Sequence, residues 1–177
     1  MKRRVETMIR YAQERDLHTI LEIYNDAIVN STAVYDYTPH TIEDRRTWYK
    51  QKLEAGYPII VFEEDDQIMG FATFGPFRAW PAYKYTIEHS VYVHKDHRRK
   101  GIGLHLLKEI IVIANEQKYA TLVAGIDASN EASIKIHEGL GFIHSGTIKK
   151  AGYKFGRWLD LAFYQLDLQG PDQPTEP

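Results

Sequence analysis

Apolar positions along the chain follow two rhythms. Leu17, Ile20, Leu21, Tyr24 and Ile28 return every three or four residues, which predicts a helix that opens at an Asp16 N-cap. Trp48, Tyr49 and Leu53 mark a second helix; Thr41 and Asp44 form a capping-box-like pair before it, and Gly56 ends it. A third carries Ile102, Leu106, Ile110 and Ala114, with Leu107 and Ile111 beside them, and runs to about Lys118. Residues 130–138 read as a short fourth helix, closed by Gly139 and Gly141. The other rhythm is short and rich in β-branched and aromatic residues. It predicts strands over residues 8–12, 58–62, 68–74, 88–93, 120–126, 142–148 and 158–166. Gly75-Pro76 breaks the third of these, and the glycine-rich, basic stretch AGYKFGRW separates the last two. The order β-α-α-β-β-β-α-β-α-β-β mixes hairpins with helical crossovers. It predicts an α/β (mixed α+β) fold with a mixed central sheet and helices on both faces. One domain is expected over residues 8–168, with residues 1–7 and 169–177 as flexible tails.

Composition narrows the function classes. The 177 residues are 44% hydrophobic and 26% charged, ordinary for a single domain with a real core. No apolar run is long enough to span a membrane, and the basic N-terminus lacks the apolar core of a signal peptide. The absence of cysteine excludes structural disulfides, thiolate metal sites and a cysteinyl acyl-enzyme, and makes a cytoplasmic location the default expectation. A net charge of −2 argues against nucleic acid as a general partner. His94 and His97 lie three apart, but their basic neighbours repel a cation, so no metal is expected.

The chemistry concentrates in EHSVYVHKDHRRKGIGLHLL, residues 88–107. A strand over Val91, Tyr92 and Val93 runs into a glycine loop and then a helix. Such a loop aims several backbone N–H groups, and the positive end of the helix dipole, at one spot. Gly101 and Gly103 let the backbone turn and approach an anion without an intervening Cβ. Lys95, Arg98, Arg99 and Lys100 outnumber Asp96, leaving a local charge of +3. The loop has neither the Gly-Lys-Ser/Thr of a nucleotide P-loop nor the third glycine of a dinucleotide fingerprint.

The spacing Arg98-x-x-Gly101-x-Gly103 resembles the acyl-CoA loop of the GCN5-related N-acetyltransferase (GNAT) superfamily. That resemblance implies acetyl-CoA as co-substrate. Arg98, Arg99, Lys100, Gly101, Ile102, Gly103 and Leu104 would hold its pyrophosphate, and Val91, Tyr92 and Val93 would flank its pantetheine arm. TIEHSVYV at 86–93, NEASIKIHEGLGF at 130–142 and AGYKFGRWLDLAFYQ at 151–165 are similar to segments of the phosphinothricin and methionine sulfoximine acetyltransferases. This closer resemblance implies that Glu88 is the base, that His137 lies near the thioester and that Asn130 touches the pantetheine arm. Many superfamily members carry a tyrosine where His137 stands, which leaves the acid for the thiolate open. It further implies a homodimer, a small amino acid acceptor and resistance to antibiotic or herbicide analogues.

Acetyl transfer to an α-amine needs a base and donors for the oxyanion, with direct attack in a ternary complex. Tyr35, Arg78, Tyr83 and Lys154, with Lys84 and Arg157, suit a carboxylate or phosphinate, and Pro81-Ala82-Tyr83 matches the resembled substrate loop. The run from 77 to 85 equally suits core or a dimer surface. Three alternatives stay open at this point: a peptide N-terminus as acceptor, an antibiotic amine, and a non-catalytic acyl-CoA-binding module.

Overall fold

The computed structural model of the protein describes residues 7–176. Of the first expected tail, residues 1–6 lie outside the described residues, and Thr7 is the first residue of a strand. Seven strands form one sheet: β1 Thr7–Tyr11, β2 Ile59–Glu64, β3 Gln67–Pro76, β4 Thr86–Val93, β5 Thr121–Asp127, β6 Ile143–Lys154 and β7 Arg157–Asp167. Their spatial order is β1-β2-β3-β4-β5-β7-β6. Every pair is antiparallel except β4 and β5, which are parallel and joined by a helical crossover.

Four helices cover the sheet. α1 (Leu17–Asn30) and α2 (Ile42–Glu54) pack on one face, where Leu17, Ile20 and Ile23 meet Ile59, Val61 and Phe71. α3 (Ile102–Glu116) and α4 (Glu131–Gly139) lie on the other, where Leu106, Leu107 and Ile110 meet Ile60, Ala72, Phe74 and Ile87. The alternation Ile59, Ile60, Val61 thus feeds two cores, because successive strand residues point to opposite faces. Each such fully buried Leu or Ile contributes about 1.5–3 kcal/mol. The Thr41–Asp44 capping box forms at the start of α2: Thr41 Oγ1 accepts from Asp44 N–H and Thr41 N–H donates to Asp44 Oδ2.

Two strand ends differ from the sequence reading. β3 continues through Gly75-Pro76, which pair with Glu88 and Ile87. A proline closes a strand without loss where its missing N–H has no partner to meet. The expected AGYKFGRW loop is instead the tip of a long hairpin, with β6 running to Lys154 and β7 starting at Arg157. Phe155 (φ 53°) and Gly156 (φ 73°) make the two-residue turn with left-handed backbone that tight hairpins favour. After β7, in the second expected tail, Gly170 N–H donates to Tyr119 O (3.1 Å) and Thr175 N–H to Tyr85 Oη (3.0 Å). Pro177 lies outside the described residues.

Candidate active site

The site begins where two strands part. β4 and β5 pair only at Thr86–Thr121, Ile87–Leu122 and Glu88–Val123; beyond Glu88 the strands diverge. The split opens a cleft of about 570 Å³ whose walls include Glu88, Val91, Val93, Gly103, Asn130 and His137. Backbone phase decides what the open edge offers. His94 N–H donates to Met69 O (2.8 Å), and the register pairs Val93 with Gly70. Even-numbered residues of β4 therefore bond to β3, and Val91 and Val93 turn their N–H and C=O groups toward the place β5 has left. A strand edge of this kind takes an extended, amide-bearing ligand as it would another strand.

The glycine loop stands at the mouth of this cleft. Gly101 is the N-cap of α3 in left-handed backbone (φ 77°), a conformation that costs a side chain dearly. His105 N–H is the first amide of the helix to meet an intrahelical carbonyl, that of Gly101 (3.1 Å). The amides of Ile102, Gly103 and Leu104 remain as donors at the positive end of the dipole. Ile102 is buried and anchors the turn in the core, and Leu104 is half-buried. Arg98 lines the cleft and bridges to Asp26 of α1 at 3.0 Å, while Arg99 and Lys100 are exposed. Tyr92 projects to the α1 side, edge-on to Tyr24, and burial pushes its hydroxyl pKa up to about 12. Asn130 caps α4, its Oδ1 accepting from Ser133 N–H at 3.2 Å, and lines the cleft.

Glu88 sits at the point of divergence, half-buried. Burial holds its carboxyl above the usual range. The side chain leans over Gly125 of β5, with Oε1 2.9 Å from where a Cβ on that glycine would stand. Gly125 is thus the gap that admits the carboxylate. A carboxylate with raised pKa at the floor of a cleft is suited to take a proton.

His137 is buried in the cleft wall, and both of its ring nitrogens have protein partners. Nδ1 lies 2.7 Å from Ser133 O, and a carbonyl only accepts, so Nδ1 carries the hydrogen. Nε2 lies 3.1 Å from Nε2 of His89 and accepts from it. The rings are within 6° of parallel, and each meets Phe142 edge-on. Burial, then His137, pushes the His89 pKa down to about 3; burial lowers that of His137 as well. A neutral, hydrogen-bonded pair shapes the wall beside β4.

Of the expected acceptor residues, Tyr35 lines the same cleft, with its ring against Gly152. Lys154 is buried and donates to Ile28 O, to Ser31 O (2.8 Å) and to Val34 O (2.8 Å). Its three donors are used, so it reaches the site through the 31–35 loop and not by facing an acceptor. Arg78 is exposed over Phe77, and Pro81, Ala82 and Tyr83 form a short exposed 3-10 turn. Tyr83 and Phe77 line a separate cavity of about 490 Å³ with Val123, Ile148 and Phe163. Within one chain, this turn and the Glu88 cleft are not brought together.

Sequence reasoning missed three wall residues. His89 carried only the alternation of β4 as a signal, which sets it opposite Glu88. Asp127 is buried at the end of β5, with Oδ2 accepting from Thr32 Oγ1 (2.5 Å) and Oδ1 from Ser129 N–H (3.0 Å). Burial raises its pKa, but the Thr32 and Ser129 bonds outweigh that and hold it below the usual range. Arg157 approaches the same carboxylate at 3.6 Å. Gly125 had no sequence signal. Among the described residues no group of three or more His, Cys, Asp or Glu is placed to hold a metal, and no helix is long and apolar enough to cross a membrane.

Comparison with known proteins adds to this geometry. The family described as Acetyltransferase (GNAT) domain matches residues 9–163. An N-acetyltransferase from Staphylococcus aureus Mu50 superimposes with a TM-score of 0.92 at 58% identity, over 93% of this chain and 99% of its own. yncA from Salmonella typhimurium, solved with its cofactor acetyl-CoA, gives 0.93 at 40% identity, over 96% and 98%. The L-methionine sulfoximine/L-methionine sulfone acetyltransferase of Salmonella typhimurium (strain LT2) is 42% identical over 160 residues, 90% of this chain and 94% of that protein. A split sheet with a free strand edge, a helix N-terminus at its mouth and a family match over nearly the whole chain lead to one conclusion: the protein belongs to the GNAT family and is an acetyl-CoA-dependent N-acetyltransferase.

Proposed function

We propose that the enzyme moves acetyl from acetyl-CoA to the α-amine of a small amino acid of the methionine sulfoximine or phosphinothricin type, by direct attack in a ternary complex. The observation that carries the reading is Glu88, a carboxylate with raised pKa at the point where the cofactor strand loses its neighbour. The Val91 and Val93 backbone edge aligns the pantetheine arm, with Asn130 beside it. The α3 amides, with Arg98, Arg99 and Lys100 around them, hold the pyrophosphate. Glu88 takes a proton from the acceptor ammonium; the amine forms the N–C bond, the C–S bond breaks, and the second nitrogen proton passes by way of solvent to the departing thiolate. His137, with both nitrogens engaged, supports the wall beside the thioester and leaves the thiolate without a histidine acid. The similarity to a methionine sulfoximine/methionine sulfone acetyltransferase favours free amino acids over peptide N-termini. In this reading the enzyme is cytoplasmic, where its co-substrate is supplied, and confers resistance to such analogues.

A homodimer belongs to the same reading. The 77–84 turn lies on the part of the sheet that α1 and α2 leave uncovered, with Trp80 74% exposed and Ile148 52% exposed. A second copy seated there covers this aromatic face and brings its Arg78 and Tyr83 toward the neighbour's acceptor mouth.

The test is thiol release with a panel of free amino acids, methionine sulfoximine, phosphinothricin and peptides. Amino acid analogues should be acetylated and peptides spared; peptide acetylation alone would reassign the acceptor. Glu88→Gln should keep acetyl-CoA binding and lower turnover by about tenfold or more; unchanged turnover removes the base role.

A further inference from the structure

A third cavity, also of about 490 Å³ but distinct from the one under Tyr83, lies between α2 and the sheet and shares Ser90 and Tyr92 with the Glu88 cleft. It is on the same sheet face as Glu88, because Ser90 and Tyr92 follow it at strand period two. Register places Thr73 opposite Ser90 and Gly75 opposite Glu88. The walls toward the cleft are aromatic: Tyr24, Phe71 and Tyr92.

Two cations line this cavity. Arg45 is 3% exposed, with its guanidinium carbon 4.1 Å from the Tyr24 ring centre and 4.5 Å from that of Trp48. Lys52 donates to Phe74 O at 2.7 Å, and its nitrogen stands 2.9 Å from where a Cβ on Gly75 would be. Among the described residues neither has a carboxylate within 4.0 Å. Asp44, also on the wall, accepts from Thr41 instead; His40 meets Asp36 through Nε2 and takes only a long 3.5 Å contact from Arg45 Nη2 at its Nδ1. Nε of Arg45 has no hydrogen-bond partner. Ring faces offset only part of the cost of burying a cation. Lys52, over Gly75 across from Glu88, and Arg45, deeper among the rings, form a receptor for negatively polarised oxygen.

We propose that this cavity is the subsite for the far end of the acceptor. An amino acid whose amine lies at Glu88 runs a short unbranched side chain across the strands past Ser90 and Thr73. It sets a sulfone, sulfoximine or phosphinate oxygen against Lys52 and Arg45. The inference rests on the acceptor reading above and adds the residues that select among acceptors.

The test compares methionine sulfone with norleucine, which shares the chain length and lacks the oxygens. Binding is measured by calorimetry on the full chain saturated with CoA. Wild type should bind the sulfone at least tenfold more tightly. Lys52→Met should bring the two affinities within about twofold, and Lys52→Arg should keep most of the preference. The proposal is overturned if wild type does not discriminate, or if Lys52→Met leaves the ratio unchanged or weakens both ligands equally. A thermal unfolding scan confirms that each variant folds. Acetyl transfer by the same proteins, assayed with acetyl-CoA in place of CoA, separates the two readings: sulfone preference without acetylated product sinks the acceptor reading and leaves the subsite standing.

Discussion

The base proposed at Glu88 depends on its neighbours as much as on its own charge. Gly125 leaves the gap that the carboxylate fills, and a methyl group there would stand 2.9 Å from Oε1. Gly125→Ala should therefore displace the base and lower turnover by about tenfold, the usual scale for a misplaced acid–base group, with acetyl-CoA affinity kept. Steady-state kinetics beside coenzyme titration checks this; an unchanged turnover would mean that Glu88 has room elsewhere. The histidine pair gives a stability signature. His89 has a folded pKa of about 3, below the ordinary 6.5, so the unfolded chain takes the proton first. Its contribution is complete above pH 6.5 and fades as pH falls toward 3. The loss is on the order of 3 kcal/mol by pH 4, to which His137 adds in the same direction. Denaturant unfolding across this range should show it, and His89→Gln should flatten the slope. An equal slope in both proteins would show that the pair is not buried neutral.

At the scale of elements, the cleft owes one wall to a hairpin far away in sequence. Lys154, the last residue of β6, ties the end of α1 and the 31–35 loop through three carbonyls. That loop carries Thr32 and Tyr35 into the cleft. Hydrogen bonds from a charged donor contribute roughly 1.5–3 kcal/mol each, less the cost of burying the ammonium. Lys154→Met should lower stability by about 2–4 kcal/mol and raise the acceptor KM more than the acetyl-CoA KM. A rise in the acetyl-CoA KM alone would place the 31–35 loop on the cofactor side. The α3 end of the cleft was legible at this scale from the chain alone. A strand, a glycine loop and an amphipathic helix in succession make an anion site by local geometry, and the structure builds that succession over β4, Gly101 and α3. The long β6–β7 hairpin was not legible. Its glycines and basic residues read as a loop, and only cross-strand pairing turned them into ladder.

For the whole molecule, the proposal is that a second copy covers the face under the 77–84 turn. If a second copy does, Tyr83→Asp should shift sedimentation from dimer to monomer and raise the acceptor KM several-fold; a wild-type monomer would refute it. Element types, their order and the mixed fold were written in the chain, because periodicity and turn chemistry are local properties. The positions of the glycine loop and of Glu88 were written there too, one in a short stretch and the other in a resembled motif. What only the tertiary structure decided was company. It brought His89 to His137, Gly125 beneath Glu88, and Arg45 with Lys52 into one cavity. It also sent Lys154 to the α1 carbonyls and Arg78 away from the cleft of its own chain. Those pairings join residues tens of positions apart, and nothing in a linear pattern records which distant side chain will fill the space left by another.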